Sequence, residues 1–85
     1  MRVSVQLFAR LRELAGGRPT LACDVPAGAT IADVWRAMAE AHPALAPFGA
    51  SVSCARNEDF ARMHRRVREG DAIAFLPPVS GGALE

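Results

Sequence analysis

Between residues 30 and 43 the stretch TIADVWRAMAEAHP carries the one long helical signal of the chain, and that helix limits the folds open to it. Ile31, Val34, Trp35, Met38 and Ala41 recur at i, i+3, i+4 spacing, an apolar stripe that needs a surface to lie on. Thr30 stands at the N-cap position with Asp33 three residues on, the reciprocal pairing of a capping box. Pro43 disfavours continuation of the helix through His42. With 85 residues there is room for one modest hydrophobic core, so the stripe has to pack on the chain's own strands.

Those strands flank the helix. Val3, Val5 and Leu7 alternate with Arg2, Ser4 and Gln6, the period of a half-buried strand. Leu11 and Leu14 in FARLRELAGG suit one face of a short helical connection, which Gly16-Gly17 ends. Leu21, Cys23 and Val25 then alternate with Thr20, Ala22 and Asp24 until Pro26 and Gly28 terminate the run. After the helix, Val52 and Cys54 suggest a third strand, Asn57-Glu58-Asp59 a turn, and Phe60 with Met63 a short edge element. Glu69-Gly70-Asp71 is a further turn, and Ala72 to Leu76 form a last strand whose near-continuous apolar character fits a central, helix-covered position. This order describes an α+β domain with one helix across a mixed sheet. It is the plan of the ubiquitin-like β-grasp fold, in which the first and last strands pair in parallel at the sheet centre. Residues 1–76 are expected to form the globular body and 77–85 an extended tail.

Composition excludes several classes of function. A chain 51% hydrophobic and 22% charged suits a packed domain, and no apolar run approaches the ~20 residues that span a bilayer. The N-terminus reads as a strand rather than a signal peptide, so a cytoplasmic location is expected and no membrane partner. A net charge of +1 provides no field to attract nucleic acid, although every basic residue except the histidines is arginine. Cys23 and Cys54 lack metal-ligand spacing and read as buried free thiols, so no metal is expected. His42 and His64 have no acid or nucleophile beside them in sequence and read as non-catalytic. Trp35 and Met38 are explained by packing on the helix stripe.

The chemistry lies in the ending, FLPPVSGGALE. Pro77 and Pro78 have no amide donors, so they cannot extend a sheet ladder, and their fixed φ launches an arm. From Pro77 to Gly82 the arm reaches about 20 Å at roughly 3.3 Å per residue. Gly81 and Gly82 carry no side chains, so they can thread a narrow channel and bring a backbone carbonyl close to a catalyst. A carboxylate there is a poor electrophile until activated, most simply as an acyl adenylate made from ATP. A sulfur nucleophile can then displace AMP and leave a thiocarboxylate.

FLPPVSGG, LFARLREL and REGDAIAFLPPV together resemble the small subunit of molybdopterin synthase, a sulfur carrier of the MoaD/ThiS ubiquitin-like family, over residues 1 to 82. The resemblance implies that Gly82 is the site of adenylation and thiocarboxylate formation. It implies that Phe75, Leu76, Pro77, Pro78, Val79, Ser80 and Gly81 contact partners. Those partners would be an adenylating, E1-like activating enzyme that uses ATP, a sulfur donor, and the large synthase subunit, in a heterotetramer built on a large-subunit dimer. No cofactor is expected on the chain itself, and the catalytic residues would lie on the large subunit. The alternatives are a carrier of sulfur for cysteine, thiamine or tRNA thiolation, a ubiquitin-like protein modifier joined through Gly82, and a β-grasp interaction domain without acyl chemistry. The double proline leans against the thiamine type.

Two features depart from the family pattern. Ala83-Leu84-Glu85 follow Gly82, so either a protease removes them, or they are a cloning remnant, or the chain does not use this chemistry. Asn57-Glu58-Asp59 stands where relatives have an Asn-Gly type of hairpin turn. Elsewhere, Arg62, His64, Arg65, Arg66 and Arg68 form a basic run that reads either as a docking site for an acidic surface or as a solvated edge, the latter being the commoner use. Among Phe8, Phe60 and Phe75, an aromatic exposed beside the tail would anchor a partner, and Phe75 is the first choice, then Leu76.

Overall fold

The computed structural model describes residues 1–78. Five strands form one mixed sheet: β1 (Arg2–Leu7), β2 (Thr20–Asp24), β3 (Ser53–Arg56), β4 (Asp59–Ala61) and β5 (Ala72–Leu76). Their spatial order is β2-β1-β5-β3-β4. β1 and β5 run parallel at the centre, with Val5 opposite Ile73 and Leu7 opposite Phe75, and every other pair is antiparallel. This is the ubiquitin-like β-grasp arrangement that the order of elements implied.

Two helices join the strands. α1 (Arg10–Leu14) is one short connection, which closes when Gly17 donates to the Arg12 carbonyl at 2.8 Å from a φ of 84° that glycine adopts at little cost. α2 (Ile31–Ala41) crosses one face of the sheet. Its start is the capping box read from sequence: the Asp33 amide donates to Thr30 Oγ1 at 3.3 Å, and the Thr30 amide donates to the Asp33 carboxylate at 2.9 Å.

The core lies between α2 and the inner sheet face. Val3, Val5, Leu7, Ile73 and Phe75 from the sheet meet Ile31, Val34, Trp35 and Met38 from the helix, all buried. Trp35 and Phe75 pack edge to face with ring centres 4.9 Å apart, a favoured aromatic geometry. The inner stripe of α2 stops at Met38. Ala41, counted with the stripe from its spacing, is exposed, and the fully buried apolar position beyond Met38 is taken by Leu45. Leu45 belongs to a 3-10 helix, Pro43–Phe48, that the proline-rich stretch had concealed. Pro43 occupies its first position, where the missing amide donor costs nothing. Gly49 then passes close enough to Trp35 that an added Cβ would lie 3.0 Å from the indole nitrogen.

Candidate functional site

β5 delivers the chain to the tail. Its inward residues, Ile73 and Phe75, are fully buried, while Ala72, Ala74 and Leu76 point to the opposite face, which no helix among the described residues covers. The Phe8 amide donates to the Phe75 carbonyl at 3.3 Å and extends the parallel pairing to the last turn of the strand. Pro77 and Pro78 follow without amide donors, half-buried and exposed respectively. Val79, Ser80, Gly81 and Gly82, named from sequence as partner-contacting and sulfur-carrying positions, lie outside the described residues.

On that uncovered face the strand register assembles a mostly apolar groove of about 470 Å³, with Ser4, Gln6 and Glu58 as its polar lining. Ala55 pairs with Ala74 on one side and with Phe60 on the other, and Gln6 pairs with Ala74 from β1. Phe8 and Leu76 close the end from which the tail leaves. Phe60 is 82% exposed and Phe8 36%, the two large apolar side chains most open to solvent among the described residues. This corrects the choice of anchor. Phe75 is fully buried against Trp35 and serves the core, so the exposed aromatics beside the tail are Phe60 and Phe8, with Leu76 half-buried between core and groove. Strand period alone could not separate them, because β5 is apolar on both faces. The pairing of Ala55 with Phe60 was the missing information.

The hairpin that carries Phe60 is built from unusual residues. Asn57 and Glu58 form a two-residue connection between β3 and β4, with φ of 52° and 75°. Both are left-handed values that the twist of a tight hairpin requires and that glycine meets more cheaply than glutamate. The turn keeps its tight geometry without glycine because Asn57 is tied down on three sides. Its amide donates to the Ala72 carbonyl at 2.7 Å, its Oδ1 accepts from the Ala72 amide at 2.9 Å, and its Nδ2 donates to Asp71 at 3.0 Å.

Asp71 is the one buried charged residue among the described residues. Its carboxylate accepts from the Arg68 amide at 2.7 Å and from Arg56 Nη1 at 3.1 Å, besides Asn57. Burial acts to raise its pKa, but the hydrogen bonds from Asn57, the Arg68 amide and Arg56 outweigh it and hold the carboxyl below its ordinary range. The network fixes β3, the hairpin and the start of β5 in one register, so it sets where Phe60 stands relative to Leu76.

The remaining reactive side chains are packed away. Cys23 and Cys54 are buried and unbridged, and burial raises both thiol pKa values, which keeps them protonated and inert. No three His, Cys, Asp or Glu side chains among the described residues are grouped to hold a metal, and none of the described helices is long and apolar enough to cross a membrane. Arg62, His64, Arg65, Arg66 and Arg68 are all exposed.

Comparison with known proteins agrees with this geometry. The family model described as the ThiS family matches residues 5–82. The chain is 40% identical over 85 residues to small archaeal modifier protein 1 of Haloferax volcanii, covering 91% of this chain and 97% of that one. It is 34% identical to the molybdopterin synthase sulfur carrier subunit of Arabidopsis thaliana, covering 96% of this chain and 84% of the relative. The crystal structure of SAMP1 from Haloferax volcanii superposes with a TM-score of 0.84 at 36% identity, over 96% of this chain and all of that one.

Proposed function

The chain belongs to the ThiS family of ubiquitin-like sulfur carriers, and on that premise we propose that it carries sulfur as a thiocarboxylate on Gly82 for molybdopterin synthesis. The observation that supports this most is the junction of body and tail. A central strand runs directly into Pro77-Pro78 beside an uncovered apolar groove, so one face can dock a partner while the arm reaches into that partner's active site.

In this reading the body, residues 1–76, supplies recognition, and residues 77–82 supply the reacting group. A Gly82 carboxylate oxygen attacks the α-phosphate of ATP on an adenylating enzyme, forming the acyl adenylate and releasing pyrophosphate. Sulfide-level sulfur from a donor then attacks the carbonyl carbon, and the C–O bond to AMP breaks. On the large synthase subunit the thiocarboxylate sulfur attacks a carbon of the pterin and displaces an oxygen leaving group; water then cleaves the Gly82 acyl–sulfur bond, so the sulfur stays on the pterin and Gly82 regains its carboxylate. Catalytic groups come from the partners, and the chain needs no bound cofactor of its own. The chemistry requires Gly82 to be terminal, and so requires removal of Ala83-Leu84-Glu85. Incubation of a chain ending at Gly82 with the adenylating enzyme, ATP and a sulfur donor is expected to add about 16 Da, one oxygen replaced by sulfur. An unchanged mass with an enzyme that consumes ATP on this substrate would refute the proposal.

A second reading has its own support in the 40% identity to a protein named as a modifier. Here the same adenylate is captured by lysines of other proteins. The chain contains no lysine, so it cannot build side-chain-linked chains on itself. A diglycine remnant on lysines of other proteins, dependent on Gly82, would distinguish this use from sulfur delivery.

A further inference from the structure

Four of the ten arginines fall within Arg62 to Arg68, with no acid among them. The other six are outnumbered by nine acidic residues, so this segment carries +4 and the rest of the chain −3. Surfaces that serve only solubility intersperse both signs, and a single-sign cluster on one short segment repels itself. Among the described residues these arginines form no ion pair, whereas Arg2, Arg10, Arg36 and Arg56 each have an acidic partner.

The arginines are held on a fixed backbone. The Ala32 amide donates to the Met63 carbonyl at 2.8 Å, the Ile31 amide to the Arg65 carbonyl at 2.9 Å, and the Val67 amide to the Ala29 carbonyl at 3.0 Å. Half-buried Met63 and buried Val67 pin the segment to the core, and Arg62, Arg65, Arg66 and Arg68 are left in solvent. The ridge begins at the residue after β4 and runs from that edge strand to the first turn of α2, and none of its residues lines the groove in which Phe60 stands.

We propose that this ridge steers the chain onto an acidic surface of its adenylating enzyme, an inference that rests on the carrier reading above. A carrier has to dock, react and leave in every cycle, which calls for rapid association rather than great affinity. A single-sign ridge on a fixed backbone supplies that, because it acts before contact and is screened by salt. The opposite charge on the remainder of the molecule orients the ridge towards an acidic protein face and opposes the wrapping of a polyanion.

Stopped-flow association of the chain with the cognate adenylating enzyme, from low to high salt, tests this. Arg65→Glu and Arg66→Glu together are expected to slow association at least about tenfold at low ionic strength, within the range of electrostatic steering, with dissociation and Tm little changed and the difference vanishing at high salt. Arg18→Glu, on the β2 side, alters net charge as much as either single change and should slow association far less. Equal slowing by Arg18→Glu and Arg65→Glu would overturn the proposal, since net charge and not the ridge would then be responsible. An unchanged rate for the double variant, while ATP-dependent adenylation proceeds, would overturn the ridge and spare the carrier reading. With every chain in the experiment ending at Gly82, absence of any complex or adenylation with the one that carries no substitution would overturn both. Salt-sensitive binding of duplex DNA or RNA that the double variant loses, with enzyme association unaffected, would reassign the ridge to nucleic acid and overturn it too.

Discussion

Replacing Phe60 by alanine should separate docking from folding. Phe60 is 82% exposed, on an edge strand, and outside the core cluster. Its removal takes little from the folded state, and the expected change in unfolding free energy is within about 0.5 kcal/mol, as for other surface sites. Burying a phenylalanine completely is worth about 1.5–3 kcal/mol, and four-fifths of this ring is still in water. A partner that covers it therefore gains about 2 kcal/mol, and Phe60→Ala should raise the Kd for the adenylating enzyme ~30-fold. Calorimetric titration gives the Kd and urea unfolding gives the stability. Phe75→Ala is the counterpart: it opens a cavity beside Trp35 and should cost about 3–5 kcal/mol of stability. A Kd change under threefold for a folded Phe60→Ala chain, or a stability loss above about 1 kcal/mol, would refute the assignment of Phe60 to the interface and Phe75 to the core.

Thr30→Ala removes one half of the capping box and should lower stability by about 1 kcal/mol, read from the urea midpoint at constant slope. Glu58→Gly relieves a left-handed glutamate, worth about 1–2 kcal/mol, against about 0.5–1 kcal/mol of added chain entropy, so thermal unfolding should show a net gain of about 0.5–1 kcal/mol. Asp71→Asn breaks the Arg56 pairing and should cost about 2 kcal/mol at neutral pH. Because the Asp71 pKa is lower folded than unfolded, its contribution is complete above the unfolded value of about 3.9 and disappears as pH falls through the folded value. The stability difference between the native chain and Asp71→Asn should therefore shrink below about pH 4, and a difference that stays constant on acidification would argue against the network.

Much of the fold was legible because local chemistry and tertiary packing agree. Thr30 and Asp33 mark a helix start by hydrogen bonds that close within four residues. Val3, Val5 and Leu7 declare a half-buried strand by alternation, and all three are buried. The apolar run from Ala72 to Leu76 marked a central strand, as found. What alternation does not specify is which face of such a strand the helix covers. Ile73 and Phe75 went inward and Leu76 outward because β1 and β3 pair with β5 in one register, and that register depends on residues far away in sequence. Ala41 fell outside the core for a similar reason: the buried position beyond Met38 is filled by Leu45 after the chain turns at Pro43.

For the site, the proposed reacting end rests on the sequence by itself. Two prolines after an apolar strand, then two glycines, are read as an arm from covalent properties that hold in any fold: absent amide donors, fixed φ and absent side chains. The tertiary structure alone decided what stands beside that arm. Phe8, Phe60 and Leu76 come from three separate stretches of chain and become one apolar face only when β4 pairs with β3 and β5 lies between β3 and β1. The arginine ridge gains its position in the same way, because the carbonyls of Met63 and Arg65 are held by the first turn of α2. Covalent geometry is local and can be read residue by residue. A docking face is a sum over long-range pairings, and it exists only once those pairings have formed.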